Sequence, residues 1–172
     1  LEWLVDVPWR AETADRLERL GIPLYGVTAH TLDETLASIE DLGRVLGQEA
    51  EARGLVARLR TRVAAVEQRI AGRKPAKVLF VVWHRPLTTA GRRTFVSDVI
   101  RRAGGLSIAD DLTGEWPRMS LEEAVRRSPD VILFSHSESF TPNLDEFKSL
   151  PGWKDLPAVK NGRMHFISDG IV

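Results

Sequence analysis

The side chains best suited to chemistry lie between Lys77 and Asp130. Trp83-His84-Arg85-Pro86 follows an apolar run directly, and Trp116-Pro117-Arg118 comes thirty residues later. An indole offers a broad flat apolar face with one donor. An imidazole gives a donor and an acceptor near neutral pH, and a guanidinium presents a fixed fork of donors to carboxylate or phosphate. Trp9 and His136 extend this set. What the pattern lacks is a nucleophile with its base. Ser135 and His136 are adjacent on one strand end, where neighbours point apart, and no orienting carboxylate accompanies them. The four histidines, His30, His84, His136 and His165, share no helical ligand spacing, and cysteine is absent, so no protein-held metal is expected. Gly91 and Gly104-Gly105 lack a phosphate-loop pattern and read as a turn and a helix stop. The chemistry on offer is binding rather than catalysis.

Positioning these groups requires strands that end where the loops begin. Lys77–Trp83 is an apolar run with few polar residues, the mark of a central strand covered on both faces. Val131–Phe134 is a second such strand and Gly162–Ile167 a third, after the Asn161-Gly162 turn. Trp3–Val7 and Ile22–Val27 read as strands near the start, with Pro8-Trp9-Arg10 a loop between the first and a helix over Ala11–Leu20. Thr31-Leu-Asp-Glu34 is a capping box, which predicts a helix from Leu32 to about Leu46, stopped by Gly47. Ser120-Leu-Glu-Glu123 is another, opening Leu121–Arg127. Thr94–Ala103 is helical, and Thr141-Pro142 opens a helix to Leu150. Gln48–Ala71 is a long amphipathic helix of roughly 35 Å, with Leu55, Leu59, Val63, Val66 and Ile70 on one stripe.

Strand and helix alternate, which argues for an α/β fold with parallel strands. A chain of 172 residues suffices for one ordinary domain or two small lobes. Its 24 acidic and 24 basic residues balance, so no global charge draws it to nucleic acid or anionic membrane. No apolar run approaches the roughly 20 residues needed to span a bilayer. Residues 3–27 and 131–167 both run strand, loop, helix, strand, as two related lobes would. The earlier lobe lacks counterparts to several later elements. The expectation is therefore two Rossmann-like lobes joined by one long rigid helix, with the N-terminal lobe incomplete: a partial lobe over 1–47, the helix over 48–73 and a full lobe over 74–172. A single compact domain is the alternative.

The segments LERLGIPLYGV, VVWHRPLTTAG, RRAGG, WPRMSLEEAVRRSPDVI and LPGWKDLPAVKNGRMHFI, with the long helix, run in an order that resembles the cobalamin and ferric-siderophore binding proteins of ABC importers, the helical-backbone class of substrate-binding proteins. The resemblance covers about residues 9 to 168. It implies a ligand held in a cleft between two α/β lobes and a protein that is not an enzyme. It implies that Trp9, Trp83, His84, Arg85, Trp116 and His136 line that cleft. It also implies that Glu12 and Glu138, one per lobe, dock onto arginines of the importer's membrane permease. The ligand class is a bulky metal chelate, cobalamin or a ferric siderophore, with haem binders sharing the framework, and the location is periplasmic or extracellular and membrane-anchored. No intrinsic cofactor is expected. The rival readings are an enzyme on the same architecture, or a self-associating module in which a second copy covers the incomplete lobe.

Overall fold

The computed structural model describes residues 8–22, 24–136 and 143–168, with the backbone alone at 8–12, 136 and 168. It divides into two compact units, Leu1–Val56 and Ala57–Val172.

The first unit is helical among its described residues. Helix α1 spans Pro8–Arg19, α2 Leu32–Val45, and α3, Glu49–Ile70, begins here. Pro8-Trp9-Arg10 forms the first turn of α1, where a loop was expected. Proline fits that position because its missing N–H would have no helical partner. The strand expected at Trp3–Val7 lies outside the described residues. Ile22–Val27 does not form the expected strand, and Ile22 and Val27 stand exposed. An extended segment becomes a strand only when a neighbour takes its amides and carbonyls, and no described strand of this unit offers a ladder.

The capping box forms as expected. Thr31 Oγ1 accepts from the Glu34 amide at 3.1 Å, and the Glu34 carboxylate accepts from the Thr31 amide at 3.2 Å and from that of His30 at 2.6 Å. A Cβ on Gly43 would stand 2.3 Å from Ala52 Cβ. Only glycine lets α2 and α3 approach so closely.

The second unit contains the rest of α3 and an α/β layer. In chain order it comprises β1 (Ala76–Val81), β2 (Trp83–His84), β3 (Leu87–Thr88), α4 (Phe95–Arg102), β4 (Gly105–Ser107), α5 (Leu121–Arg127), β5 (Val131–His136), α6 (Leu144–Phe147), a 3-10 turn at Trp153–Asp155, α7 (Pro157–Lys160) and β6 (Met164–Ser168). Four strands form one parallel sheet in the order β4-β1-β5-β6. Alternate residues of β1 enter different cores: Leu79 and Val81 join Ile132, Phe134 and Trp153 on one side, while Val78 and Phe80 join Val96 and Ile100 on the other. The central strands are thus covered on both faces, as their continuous apolar runs predict.

Several boundaries depart from expectation. The strand expected to run through Trp83 stops at Val81, and Trp83 begins a separate hairpin. Gly104, with φ +80°, stops α4 as expected, but Gly105 starts an edge strand rather than a loop. Helix α6 is capped by Asn143, whose Oδ1 accepts from the Asp145 amide at 3.0 Å, and it ends at Phe147. The expected opening at Thr141-Pro142 lies outside the described residues. The stripe read on α3 is not its buried face: Leu59, Val63 and Ile70 are half-buried, Leu55 and Val66 are exposed, and the buried residues of the helix are Ala52 and Val56. Its last turn meets β4, where a Cβ on Gly104 would lie 2.9 Å from Ile70 Cδ1.

Candidate functional site

Parallel β1 and β5 deliver their carboxyl ends to the same sheet edge, the place where loops of α/β sheets hold ligands. From β1 the chain enters the β2–β3 hairpin, with Trp83 opposite Thr88 and His84 opposite Leu87. The hairpin is laced to the segment that carries Trp116. Met119 donates to the Leu87 carbonyl at 3.0 Å, Thr89 donates to Pro117 at 3.1 Å, and Gly91 donates to Glu115 at 2.8 Å. Thr88 also bridges to Arg118. This lacing requires Gly91: a Cβ there would lie 2.3 Å from the Gly114 carbonyl oxygen. Trp83 and Trp116 therefore belong to one small hydrogen-bonded patch.

Both indoles reach solvent. Trp83 is 45% exposed and Trp116 50%, unusual for side chains that normally bury most of their area. The Trp83 indole N–H donates to the Arg85 carbonyl at 2.8 Å, which fixes the ring's tilt. Strand alternation turns His84 the other way. Its ring lies edge-on to Phe147 at 5.6 Å and 78°, and Phe147 continues into Phe134 at 4.8 Å and Trp153 at 4.6 Å. His84 thus ends a chain of aromatic rings that starts in the core. Burial, and then the Arg85 charge, hold its pKa below the usual value against a smaller opposing pull from Glu146. The imidazole is therefore predominantly neutral at pH 7, with one donor and one acceptor.

A pocket of about 430 Å³ opens beside this histidine, with Arg85, Met119, Leu121, Pro151 and Trp153 among its walls. Sequence reasoning missed Met119, Pro151 and Trp153 as pocket residues. Their only signal was the alternation of Met119 with Arg118. Trp83, His84, Arg85 and Trp116 all lie in the second unit. Trp9, Glu12 and His136 fall at positions whose side chains are not described, and Glu138 lies outside the described residues. Among the described residues no three His, Asp or Glu side chains gather as metal ligands would.

The second unit thus presents two half-exposed indoles, Trp83 and Trp116, near a pocket walled in part by His84, Arg85 and Trp153. The chain belongs to the periplasmic binding protein family, whose model matches residues 4–169. Among its relatives is a vitamin B12-binding protein of Yersinia pestis (strain Pestoides F), 27% identical over 133 residues, which are 77% of this chain and 48% of that protein. An ABC transporter substrate-binding protein from Listeria monocytogenes EGD-e superposes with a TM-score of 0.81 at 21% identity, over 95% of this chain and 65% of that one. A periplasmic heme-binding protein from Roseiflexus sp. RS-1 gives a TM-score of 0.76 at 28% identity, over 92% of this chain and 62% of that one. The chain spans about half the length of the curated relatives it matches. The α/β class and the family read from the sequence hold, and the family is one of binding proteins, not enzymes.

Proposed function

We propose that this chain takes part in capturing a bulky metal chelate, cobalamin or a ferric siderophore, for delivery to an ABC importer. The observation that carries the reading is the pair of solvent-facing indoles, Trp83 and Trp116, laced into one rigid patch beside a pocket. Flat rings of this kind cover a macrocycle or an aromatic chelator and gain roughly 25 cal/mol for each Å² of apolar surface they bury. Arg85 and His84 supply polar contacts that orient such a ligand. Trp9 and His136 are assigned to the same task, and Glu12 and Glu138 to docking on the permease, where one carboxylate each would set orientation and encounter rate more than affinity. Residues 1–47, 48–73 and 74–172 are the proposed partial lobe, connecting helix and lobe. The proposed location is outside the cytoplasmic membrane, periplasmic or extracellular and membrane-anchored.

The test is quenching of tryptophan fluorescence by cyanocobalamin, a ferric hydroxamate and haemin in separate titrations. One of them saturates, and Trp83→Ala and Trp116→Ala each weaken it about tenfold, the effect of losing a well-packed aromatic contact. Saturable quenching that neither substitution alters would move the ligand elsewhere on the chain.

A further inference from the structure

The chain's 24 acidic and 24 basic residues cancel, but they are not evenly spread. From Arg58 to Lys74, along the part of α3 that belongs to the second unit and the turn after it, six cations stand against one acid, Glu67. The Glu67 carboxylate is engaged by Arg102 of α4 at 3.3 Å, which turns it to the packed side of the helix.

Arg58, Arg62 and Arg69 follow one another at spacings of four and seven, which a helix places on one face. All three are exposed. No carboxylate stands three or four positions to either side of any of them, and none pairs with them among the described residues. Other helical arginines are treated differently. Arg44 pairs with Asp41, Arg126 with Glu123, and Arg53, on α3 itself, with Glu49 at 3.2 Å. Arg58 and Arg62 instead repel each other at a spacing of four, which weakens the helix. Val66, 42% exposed, lies four residues after Arg62 and three before Arg69, on the same face.

A row of uncompensated guanidiniums roughly 16 Å long costs the helix stability and gains nothing inside the described fold. It suits an extended anionic surface. We propose that this face of α3 rests on a membrane of anionic phospholipid, with Arg58, Arg62 and Arg69 on headgroup phosphates and Val66 against the interface. The planar guanidinium fork matches phosphate oxygens in pairs. The helix has no aromatic ring on which a nucleobase would stack, nor the large buried anchor on which a protein partner's affinity depends. The contact is peripheral and electrostatic, since no helix of the described residues is long and apolar enough to cross a membrane. The inference rests on the location proposed above and is independent of which chelate is captured.

The test is sedimentation of the 172-residue chain with vesicles of phosphatidylcholine alone and of phosphatidylcholine with phosphatidylglycerol. The chain partitions onto the second kind only. The binding weakens as ionic strength rises from about 0.01 to about 0.1 M, where the screening length falls from about 30 to about 10 Å. The combined Arg58→Gln, Arg62→Gln and Arg69→Gln variant loses roughly 100-fold in partitioning, about fivefold per cation. Glutamine is a good helix former, so α3 persists, which far-UV circular dichroism checks. The combined Arg44→Gln, Arg53→Gln and Arg126→Gln variant removes the same charge from paired sites and loses less than about threefold. Trp83→Ala leaves partitioning unchanged. Equal losses in the two triple variants, or equal binding to both kinds of vesicle, overturn the proposal. Binding of soluble polyglutamate without binding to vesicles overturns it too and gives the face to an acidic protein.

Discussion

The two units use the same kinds of residue in different ways. In the second, apolar side chains from a parallel sheet and its helices fill two cores, and Phe134 is 1% exposed. In the first, the described helices bury Leu36, Ala52 and Val56 but leave Leu20, Ile22, Val27, Val45 and Leu46 at the surface, the last at 69% exposure. The first unit holds its shape through local devices, a capping box and a glycine contact. The second depends on pairings between residues far apart in the chain. Local devices form helices wherever the sequence encodes them, whereas strands wait for partners.

The largest expected effect tests that contrast directly. Phe134 touches Phe147, Trp153 and Phe166 with ring centroids at 4.8, 6.0 and 6.2 Å. Phe134→Ala should cost about 3–5 kcal/mol, the range for removing a buried aromatic. Leu46→Ala, a truncation of an exposed apolar side chain in the first unit, should change stability by less than about 0.5 kcal/mol. Urea unfolding followed by far-UV circular dichroism measures both. Similar costs for the two would mean that the Leu46 surface is covered in solution.

Next comes a close helix–helix contact within the first unit. Gly43→Ala places a methyl 2.3 Å from Ala52 Cβ, so α2 and α3 must separate, at about 1–3 kcal/mol for overpacking. Ala52→Gly in the same chain should restore part of that loss. An absence of rescue in the double variant would locate the cost in the α2 backbone instead.

The starts of α2 and α5 were legible in the sequence because their capping signals are local. Thr31 and Glu34 sit three residues apart and satisfy each other's neighbours without help from elsewhere. The strands β1 and β5 were legible because a strand buried on both faces has an uninterrupted apolar run. The β2–β3 hairpin was not, since two residues per strand carry no periodicity and its partner segment, 115–119, lies some thirty residues away. Nor was β4, whose three residues pair only because β1 lies alongside. Ile22–Val27 shows the reverse error: the sequence has β-forming residues, but the described fold gives them no ladder. The site follows the same division. Trp83, His84, Arg85 and Trp116 could be singled out by type and by position after a strand. Met119 and Trp153 emerge as pocket walls only from long-range packing.

Capping gives a smaller and nearly equal effect in both units. Thr31→Ala removes the acceptor for the Glu34 amide in the first, and Ser120→Ala removes the acceptor for the Glu123 amide, at 3.1 Å, in the second. Each should cost about 1 kcal/mol. In α5 the Glu123 carboxylate is held by Arg126 and by Arg127, the latter at 2.7 Å, so Ser120→Asp should recover most of the stability lost in Ser120→Ala. Amide hydrogen exchange at Glu34 and Glu123 reads the two caps separately, and unequal protection loss would show that one of them is also held by tertiary packing.

The smallest effect is electrostatic and belongs to the second unit alone. The folded chain holds His84 below its ordinary pKa, chiefly through burial and then through Arg85. Unfolded, the same imidazole titrates near 6.5. Between the folded pKa and about 6.5 the unfolded chain therefore binds a proton that the folded chain does not, and stability rises with pH across that window. The deficit is absent above it and complete below the folded pKa. His84→Phe keeps a ring against Phe147 and removes the titration. The urea midpoint of the variant minus that of the wild type should therefore grow steadily from pH 7 to pH 5, while the other histidines cancel in the difference. A difference that stays flat with pH would mean that water reaches the imidazole freely. The aromatic chain leading from His84 into the core would then not form the dry wall of the pocket on which the Arg85 and His84 contacts depend.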